Sequence, residues 1–546
     1  MQCLLQHCSY GPVNDYRIAN PQVNWRSRKF ARNSLLASHR SMPIASPIVA
    51  HLIAIDAGTT GVRSLLLNED GEALDLEYRE LTQHYPSPGH VEHDATEIWR
   101  LTAATLEAVA ARARTNGLEV AAIGITNQRE TVLAWNATTG EVYGRALVWQ
   151  DKRTAALCRS LRDAGHLDSV RAATGLVLDP YFSATKMAWL LDHHELRTSK
   201  DVRLGTIDSW LLWNLSGGVD GGVFATDPSN ASRTLLFDLA SQSWSEAMAE
   251  LFDVPIESLA PVQPSCGRFG IVTASDTPSA HELPISGILG DQHAALFGQA
   301  CFTPGMIKAT YGTGAFVLAQ VGAAPPSPSH GLLATVAWDL GDHGGVSYAL
   351  EGSAFVAGAA IQWLRDELAI IGSASEIEAL ARKVDNAEGL SFIPAFVGLG
   401  SPWWDDSARG ALVGITRGSG RAALARAVID SIAFEVRAIT DSMAESTGTP
   451  LLGIRVDGGA AAMDLLLSTQ ADQSRLTVTR PTSLESTAIG AAAIAGLAEG
   501  VFTSLDDLAS HYVPEASFTP TSDQHACDDA YAIWLRALER SRSWVR

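Results

Sequence analysis

The sequence has few of the residues that mark disulfide-rich, metal-binding or membrane proteins. Only six cysteines occur among 546 residues, and none of them forms a C-x-x-C pair. Neither a zinc ribbon nor a disulfide scaffold is therefore expected, and a cytoplasmic location fits this composition. No apolar run reaches the roughly 18 residues that a membrane-spanning helix needs, so no membrane span is expected.

Positive charge is also scarce. Lys and Arg number 40 against 60 Asp and Glu, which gives a net charge of -20 at pH 7. Such an acidic chain is not expected to bind nucleic acid or an anionic membrane surface. The chain has six lysines and no Gly-Lys dipeptide, so it lacks a P-loop, and the protein-kinase motifs are absent as well. Any nucleotide must therefore be bound through backbone amides, hydroxyl groups and a metal ion.

The remaining composition is that of a folded protein. Hydrophobic residues make up 46% and charged residues 18%, and the length predicts two or three domains with substantial cores. The first 41 residues differ, because they carry six Arg or Lys and a single acidic residue, Asp15. Residues 1–48 are expected to be a disordered leader or translated upstream sequence, with Met42 as the true start in the second case. An organelle transit segment is the less favoured alternative.

From residue 50 onward, strand and helix patterns alternate. A strand–turn–strand unit opens near Leu52, and a second one opens near Gly305. The economical architecture is α/β, with two similar lobes, residues 49–299 and 300–546, on either side of a cleft. The predicted strands cover 52–55, 64–67, 73–77, 120–126, 306–310, 315–320 and 452–456, and the predicted helices cover 97–111, 185–191, 357–368, 422–443 and 484–497.

Three Gly-rich turns at predicted strand ends could bind a nucleotide without a P-loop. The first, at residues 56–63, combines two glycines, two threonines and an Arg with an Asp that can hold Mg²⁺ through water. The second, at 310–314, offers the same anion-binding chemistry from the other lobe. The third, at 456–460, has two glycines that permit close approach of adenine. Each turn alone could be an ordinary hairpin or helix entry, but turns from both lobes together could clamp a triphosphate.

Together these turns resemble the two phosphate loops and the adenosine loop of the actin-like ATPase superfamily. More specifically, the chain is similar to the carbohydrate kinase family, and within it to the glycerol kinases. The similarity runs from about residue 52 to residue 502, and it implies two actin-like (ribonuclease H-like) lobes flanking a nucleotide-binding cleft. The segments that carry it are IGITNQRET at 123–131, DPYFSATK at 179–186, GDQHAALFGQ at 290–299, LEGS at 350–353 and IQWLRD at 361–366.

The resemblance implies a polyol site. Asp291 would be the general base that accepts a proton from the attacking hydroxyl, although this Asp taken alone would be read as an exposed loop residue. Arg129 and Glu130 would bind adjacent hydroxyls, because one donates and the other accepts hydrogen bonds; a surface ion pair or a helix cap is the alternative. Trp149 and Phe316 would cover the carbon edge of the substrate, and core packing is the alternative for these two aromatic side chains. Tyr181 and Gln292 would bind hydroxyl groups of the substrate.

The resemblance also implies ATP and Mg²⁺ as cofactors. Asp56 and Asp291 would lie near Mg²⁺. Several residues depart from the family pattern. Ala57 replaces a usual Gln, Gly61 a usual Ser and His293 a second Gln, and Met463 and Asp464 stand where Asn is usual. These changes affect the nucleotide side of the cleft and leave the polyol contacts intact. The implied nucleotide contacts are Thr59, Thr60, Gly61, Arg63, Thr313, Gly358, Gln362, Gly459 and Met463.

The expected reaction is ATP-dependent phosphorylation of glycerol to sn-glycerol 3-phosphate, the first step of glycerol catabolism. A related kinase for another polyol or ketose, such as erythritol or xylulose, is the first alternative. A non-catalytic actin-like ATPase is the second, and the combination of Asp291 with Arg129 and Glu130 disfavours it. The expected partners are the small molecules glycerol and ATP, and the sequence leaves a homodimer and a homotetramer open.

Overall fold

Two large mixed sheets form the framework of the computed structural model, which describes residues 50–327 and 329–545. The prediction for residues 1–48 lies outside the described residues. The predicted strands and helices are confirmed, and several extend further than predicted; the predicted helix at 97–111, for example, covers Ala95–Thr115. No helix in the described residues is both long and apolar enough to cross a membrane.

The first half of the chain contains twelve strands and eight α-helices within the described residues. The strands are β1 (Ala50–Ala57), β2 (Gly61–Leu67), β3 (Ala73–Glu80), β4 (Glu92–His93), β5 (Glu119–Asn127), β6 (Val132–Asn136), β7 (Ala146–Leu147), β8 (Val202–Thr206), β9 (Phe237–Asp238), β10 (Ser243–Trp244), β11 (Cys266–Ile271) and β12 (Pro284–Gly290). The helices are α1 (Ala95–Thr115), α2 (Ala155–Asp163), α3 (Leu167–Thr174), α4 (Ala184–His193), α5 (Ile207–Leu215), α6 (Pro228–Ala231), α7 (Glu246–Phe252) and α8 (Asp291–Gly298).

The first large sheet has the strand order β11-β12-β5-β1-β2-β3. Strands β1, β2 and β3 form an antiparallel meander, as the turn residues between them predict. Strands β1, β5 and β12 run parallel, and their last residues are in register: Ala57 pairs with Asn127, and Asn127 pairs with Gly290. Because parallel strands end at one edge of a sheet, the residues that follow these three strands lie close together.

The second half continues with further strands and helices. The strands are β13 (Met306–Tyr311), β14 (Ala315–Gly322), β15 (Leu333–Asp339), β16 (Val346–Ala354), β17 (Ser391–Ile393), β18 (Ala411–Val413), β19 (Gly453–Asp457), β20 (Val478–Pro481) and β21 (Pro514–Phe518). The helices are α9 (Gly358–Asp366), α10 (Glu376–Ala381), α11 (Arg421–Thr447), α12 (Asp464–Ser474), α13 (Ser486–Ala498), α14 (Leu505–Ser510) and α15 (Gln524–Leu538).

The second large sheet repeats the plan of the first, with the order β15-β16-β14-β13-β19-β20-β21. Strands β13 and β14 form a hairpin, and β19 runs parallel to β13 with Thr310 opposite Asp457. The second and third Gly-rich turns therefore leave the same edge of this sheet. The large apolar core around this sheet includes side chains of β13, β14, β16 and α11.

Helix α13 covers the first sheet at very short backbone distances. A Cβ atom on Gly124 of β5 would lie 1.8 Å from the carbonyl oxygen of Ala491, and one on Gly490 would lie 1.8 Å from that of Ala294. Glycine is therefore required where α13 meets β5 and α8. This packing explains why the sequence of α13 is almost entirely small and apolar.

Candidate functional site

Four charged side chains form a buried cluster between the two sheets. Arg129 and Glu130, directly after β5, are 2% and 1% exposed, so they are not the surface ion pair that was the alternative from sequence. Arg129 donates from Nη1 to Glu351 Oε2 at 2.7 Å, and Arg233 donates from Nη2 to Glu351 Oε1 at 2.9 Å. Arg233 also donates from Nε to Glu130 Oε1 at 2.7 Å. We call Arg129, Glu130, Arg233 and Glu351 the four-charge cluster.

Glu351 is the link between the halves of the molecule in this cluster. It lies on β16 of the second sheet and is fully buried, whereas its two arginine partners belong to the first half of the chain. Burial would raise the pKa of this carboxyl group, but the positive charges of Arg129 and Arg233 hold the pKa below its ordinary value. Glu351 is therefore ionised and holds Arg129 in one orientation.

Asp291 lies beside the four-charge cluster as the first residue of α8. Its Oδ1 atom is 3.2 Å from Arg129 Nε and accepts a hydrogen bond from the backbone N–H of Gln292 at 2.7 Å. The side chain keeps 28% of its surface exposed. Burial raises the pKa of Asp291 to about 6, and Arg129 only partly offsets this effect. The group is thus suited to accept a proton near neutral pH.

Three partly exposed aromatic rings stand next to these charges. The ring centroid of Trp149 is 5.6 Å from that of Tyr181 and 6.3 Å from that of Phe316, with edge-to-face geometry in both pairs. The hydroxyl oxygen of Tyr181 is 3.5 Å from Arg129 Nη2. Trp149 also donates from Nε1 to Thr59 Oγ1 at 3.0 Å, which joins this aromatic wall to the first Gly-rich turn. Because the rings are not fully buried, they can contact a ligand.

Gln292 is held from the second sheet. Its side-chain oxygen accepts a hydrogen bond from Lys308 Nζ on β13. Lys308 is fully buried, and burial lowers its pKa to about 8 although Asp457 and Asp291 favour its charged form. Sequence reasoning did not select Lys308, Arg233 or Glu351. Two signals were available, since Glu351 lies in the LEGS segment and Lys308 is one of only six lysines.

The first Gly-rich turn connects β1 and β2. Asp56 is 6% exposed and accepts a hydrogen bond from Arg63 Nε at 2.8 Å. Arg63 also forms an ion pair with Glu485 next to α13. The carbonyl oxygen of Thr59 accepts from Gln83 Nε2 at 2.8 Å. Arg63 is therefore held in place by two carboxylates, and Gln83 supports the turn through the carbonyl group of Thr59.

The second and third Gly-rich turns contact each other. The backbone N–H of Gly358 at the start of α9 donates to Gly312 O at 2.9 Å, and that of Ala357 donates to Thr313 O at 2.8 Å. A Cβ atom on Gly458 would lie 2.6 Å from the carbonyl oxygen of Tyr311. The structure thus brings together the turn at 310–314, the start of α9 and the turn after β19.

The remaining predicted nucleotide residues differ in how accessible they are. Gln362 lies one turn after Gly358 on α9, and Gly459 is exposed. Met463 is 8% exposed and belongs to the apolar core around the second sheet. A ligand could reach only a small part of the Met463 side chain in this arrangement.

Comparisons with known proteins agree with this architecture. The models for the FGGY family of carbohydrate kinases match, the N-terminal domain over residues 51–298 and the C-terminal domain over 307–499. A protein named glycerol kinase from Aromatoleum aromaticum is 47% identical over 501 residues, which cover 91% of this chain and 100% of that protein. Another from Gloeobacter violaceus is 48% identical over 496 residues, with 91% and 97% covered.

Solved structures give the same result. The crystal structure of Plasmodium falciparum glycerol kinase with ADP matches with a TM-score of 0.85 at 31% identity, and the match covers 90% of this chain and 98% of that one. A xylulose kinase from Lactobacillus acidophilus, at 17% identity and a TM-score of 0.81, shares the fold. The predicted two-lobed α/β fold is confirmed. Since both family domains match and relatives are almost half identical over most of the chain, this chain belongs to the FGGY family of carbohydrate kinases.

Proposed function

We propose that this chain transfers the γ-phosphoryl group of ATP to a terminal hydroxyl of glycerol and so forms sn-glycerol 3-phosphate. The observation that carries this function is the position of Asp291, whose carboxylate is 3.2 Å from Arg129 Nε and keeps an exposed face. Eight relatives at 45–48% identity are each named glycerol kinase, which supports glycerol as the acceptor.

The side chains around Asp291 have different roles in binding and catalysis. Arg129 donates and Glu130 accepts hydrogen bonds, so the pair can bind two neighbouring hydroxyl groups. Trp149 and Phe316 cover the carbon edge and exclude water, which disfavours hydrolysis of ATP. Asp291 in its ionised form then accepts the proton of the attacking hydroxyl while the phosphoryl group moves in line.

The nucleotide would lie across the three Gly-rich turns. Backbone N–H groups and the threonine hydroxyls of residues 59, 60 and 313 suit the phosphates, and the glycines at 458 and 459 leave room for adenine. No group of three or more His, Cys, Asp or Glu side chains in the described residues could hold a metal ion by itself. The carboxylates of Asp56 and Asp291 fit Mg²⁺ that arrives bound to ATP, since this ion retains waters and phosphate oxygens as ligands. When bound, Mg²⁺ neutralises phosphate charge during transfer.

A coupled assay of ADP release tests the function. Purified protein with MgATP should release ADP when glycerol is added, and much more slowly with erythritol, xylulose or no acceptor. Release that does not depend on any polyol would refute the kinase function, and a preference for another acceptor would refute glycerol as the substrate.

The variant Asp291→Asn tests the proposed base. It should lower kcat by at least ~10², the typical contribution of a general base. Asp253→Asn is the matched control, because this carboxylate is 79% exposed and its ion pair with Arg197 lies at the surface. A near-normal kcat for Asp291→Asn would remove Asp291 from this role.

A further inference from the structure

Tyr78 covers the first Gly-rich turn from the neighbouring edge strand. It lies on β3 directly opposite Arg63 of β2, so the two side chains are on the same face of the sheet. Its hydroxyl group donates a hydrogen bond to the carbonyl oxygen of Thr60 at 3.3 Å. The side chain is half exposed, and Gly61, which it covers, is buried.

The space above Gly61 is occupied by this tyrosine. A Cβ atom on Gly61 would lie 2.5 Å from both Cε2 and the hydroxyl oxygen of Tyr78, and 2.6 Å from the carbonyl oxygen of Arg79. Gly61 is not among the glycines with positive φ, so its backbone conformation does not require glycine. The contact with β3 requires it instead. The tyrosine hydroxyl therefore stands where the side chain of any other residue at position 61 would be.

The same contact orients one peptide group of the turn. The carbonyl oxygen of Thr60 accepts hydrogen bonds from the Tyr78 hydroxyl and from the backbone N–H of Leu81, the latter at 2.9 Å. In a trans peptide the N–H points opposite to the C=O, so the N–H of Gly61 is directed away from β3 and toward the turn. Backbone N–H groups held in this way form an anion-binding surface.

We propose that Tyr78 is a positioning residue for nucleotide binding, which takes the place of a side chain at position 61 and holds the Thr60–Gly61 peptide toward the phosphates of ATP or ADP. This inference rests on the proposed function, because it assumes that the turn at residues 56–63 binds those phosphates. Tyr78 acts through the turn and needs no contact with the polyol site.

The test is the affinity for MgADP, measured by isothermal titration calorimetry without glycerol. Tyr78→Phe removes only the hydroxyl and should raise Kd about two- to tenfold, the value of one hydrogen bond. Gly61→Ser should raise Kd more than about tenfold, because its Cβ displaces Tyr78 and the edge strand. Leu76→Ala, on the same face of β3 but two residues away from Tyr78, is the matched control and should leave Kd within about twofold. The KM for glycerol should stay within about twofold in Tyr78→Phe and Leu76→Ala.

A double variant separates positioning from a general loss of structure. If Tyr78 and position 61 compete for one space, Gly61→Ser should cost less affinity in a Tyr78→Ala background than in the wild type. Additive effects, an unchanged Kd in Tyr78→Phe, or a wild-type chain that does not bind MgADP would each overturn the inference. A wild-type chain that binds MgADP but never phosphorylates glycerol would instead refute the proposed function alone.

Discussion

Replacing Glu351 tests whether the four-charge cluster supports both the stability of the fold and the polyol site. This carboxylate accepts three hydrogen bonds from two buried guanidinium groups, two from Arg129 at 2.7 and 3.3 Å and one from Arg233 at 2.9 Å. In Glu351→Gln the side-chain shape is kept, but the negative charge is lost and an amide N–H₂ faces guanidinium donors. The two buried positive charges then retain only the carboxylate of Glu130 and the partly exposed carboxylate of Asp291 among their ion-pair partners in the described residues.

The expected magnitude follows from the burial of the cluster. Removal of one partner from a buried ion pair typically costs about 3–5 kcal/mol, because the remaining charges are left uncompensated in a medium of low dielectric constant. For domains of about 150–250 residues, each kcal/mol lost from the free energy of unfolding lowers Tm by about 2–4 °C, so Tm should fall by roughly 6–20 °C. Because Arg129 loses its brace, kcat/KM for glycerol should fall more than about tenfold, while KM for ATP should change less than about twofold.

Thermal unfolding followed by circular dichroism and steady-state kinetics with each substrate varied in turn measure both effects. Glu445→Gln is the matched control, since this carboxylate is 64% exposed and pairs with His330 at the surface; the Tm of this variant should differ from that of the wild type by less than about 2 °C. Equal Tm values for wild type and Glu351→Gln would refute the energetic reasoning. An unchanged kcat/KM for glycerol in a folded variant would refute the link between Glu351 and the polyol site.

Three further outcomes are expected. First, kcat/KM for glycerol should fall about tenfold per unit as pH decreases below about 6, because burial raises the pKa of Asp291 to about 6 and a protonated carboxyl group cannot accept the proton; a flat profile between pH 8 and 5 would contradict this. Second, Arg129→Ala should lower kcat/KM for glycerol by an amount that corresponds to about 1.5–3 kcal/mol of lost transition-state stabilisation, the value of a charged hydrogen bond. An unchanged kcat/KM would show that the diol binds elsewhere. Third, Gly124→Ala should destabilise the fold by about 1–3 kcal/mol or more in thermal unfolding, because the added Cβ atom would lie 1.8 Å from Ala491 O. Gly418→Ala is the control and should be close to neutral, because the atom nearest to its added Cβ would be 3.7 Å away.

Much of the fold could be predicted from residues that are contiguous in the sequence. The turn at 310–314 was predicted between two strands, and β13 and β14 confirm it. The alternation of apolar residues and the glycine and threonine turns are properties of neighbouring residues, so they can be recognised without knowledge of the fold. The family resemblance was also carried by continuous segments such as 290–299, and the family models match on both sides of residue 300.

The tertiary structure decided which of these residues meet. Arg129 and Glu351 are 222 residues apart in sequence, and no local pattern indicates that one carboxylate pairs with both Arg129 and Arg233. In the same way, only the register of β2 and β3 shows that Tyr78 occupies the space above Gly61. Burial and pairing of charges depend on where strands from distant segments end, because desolvation and Coulomb energies arise from spatial neighbours and not from neighbours in sequence.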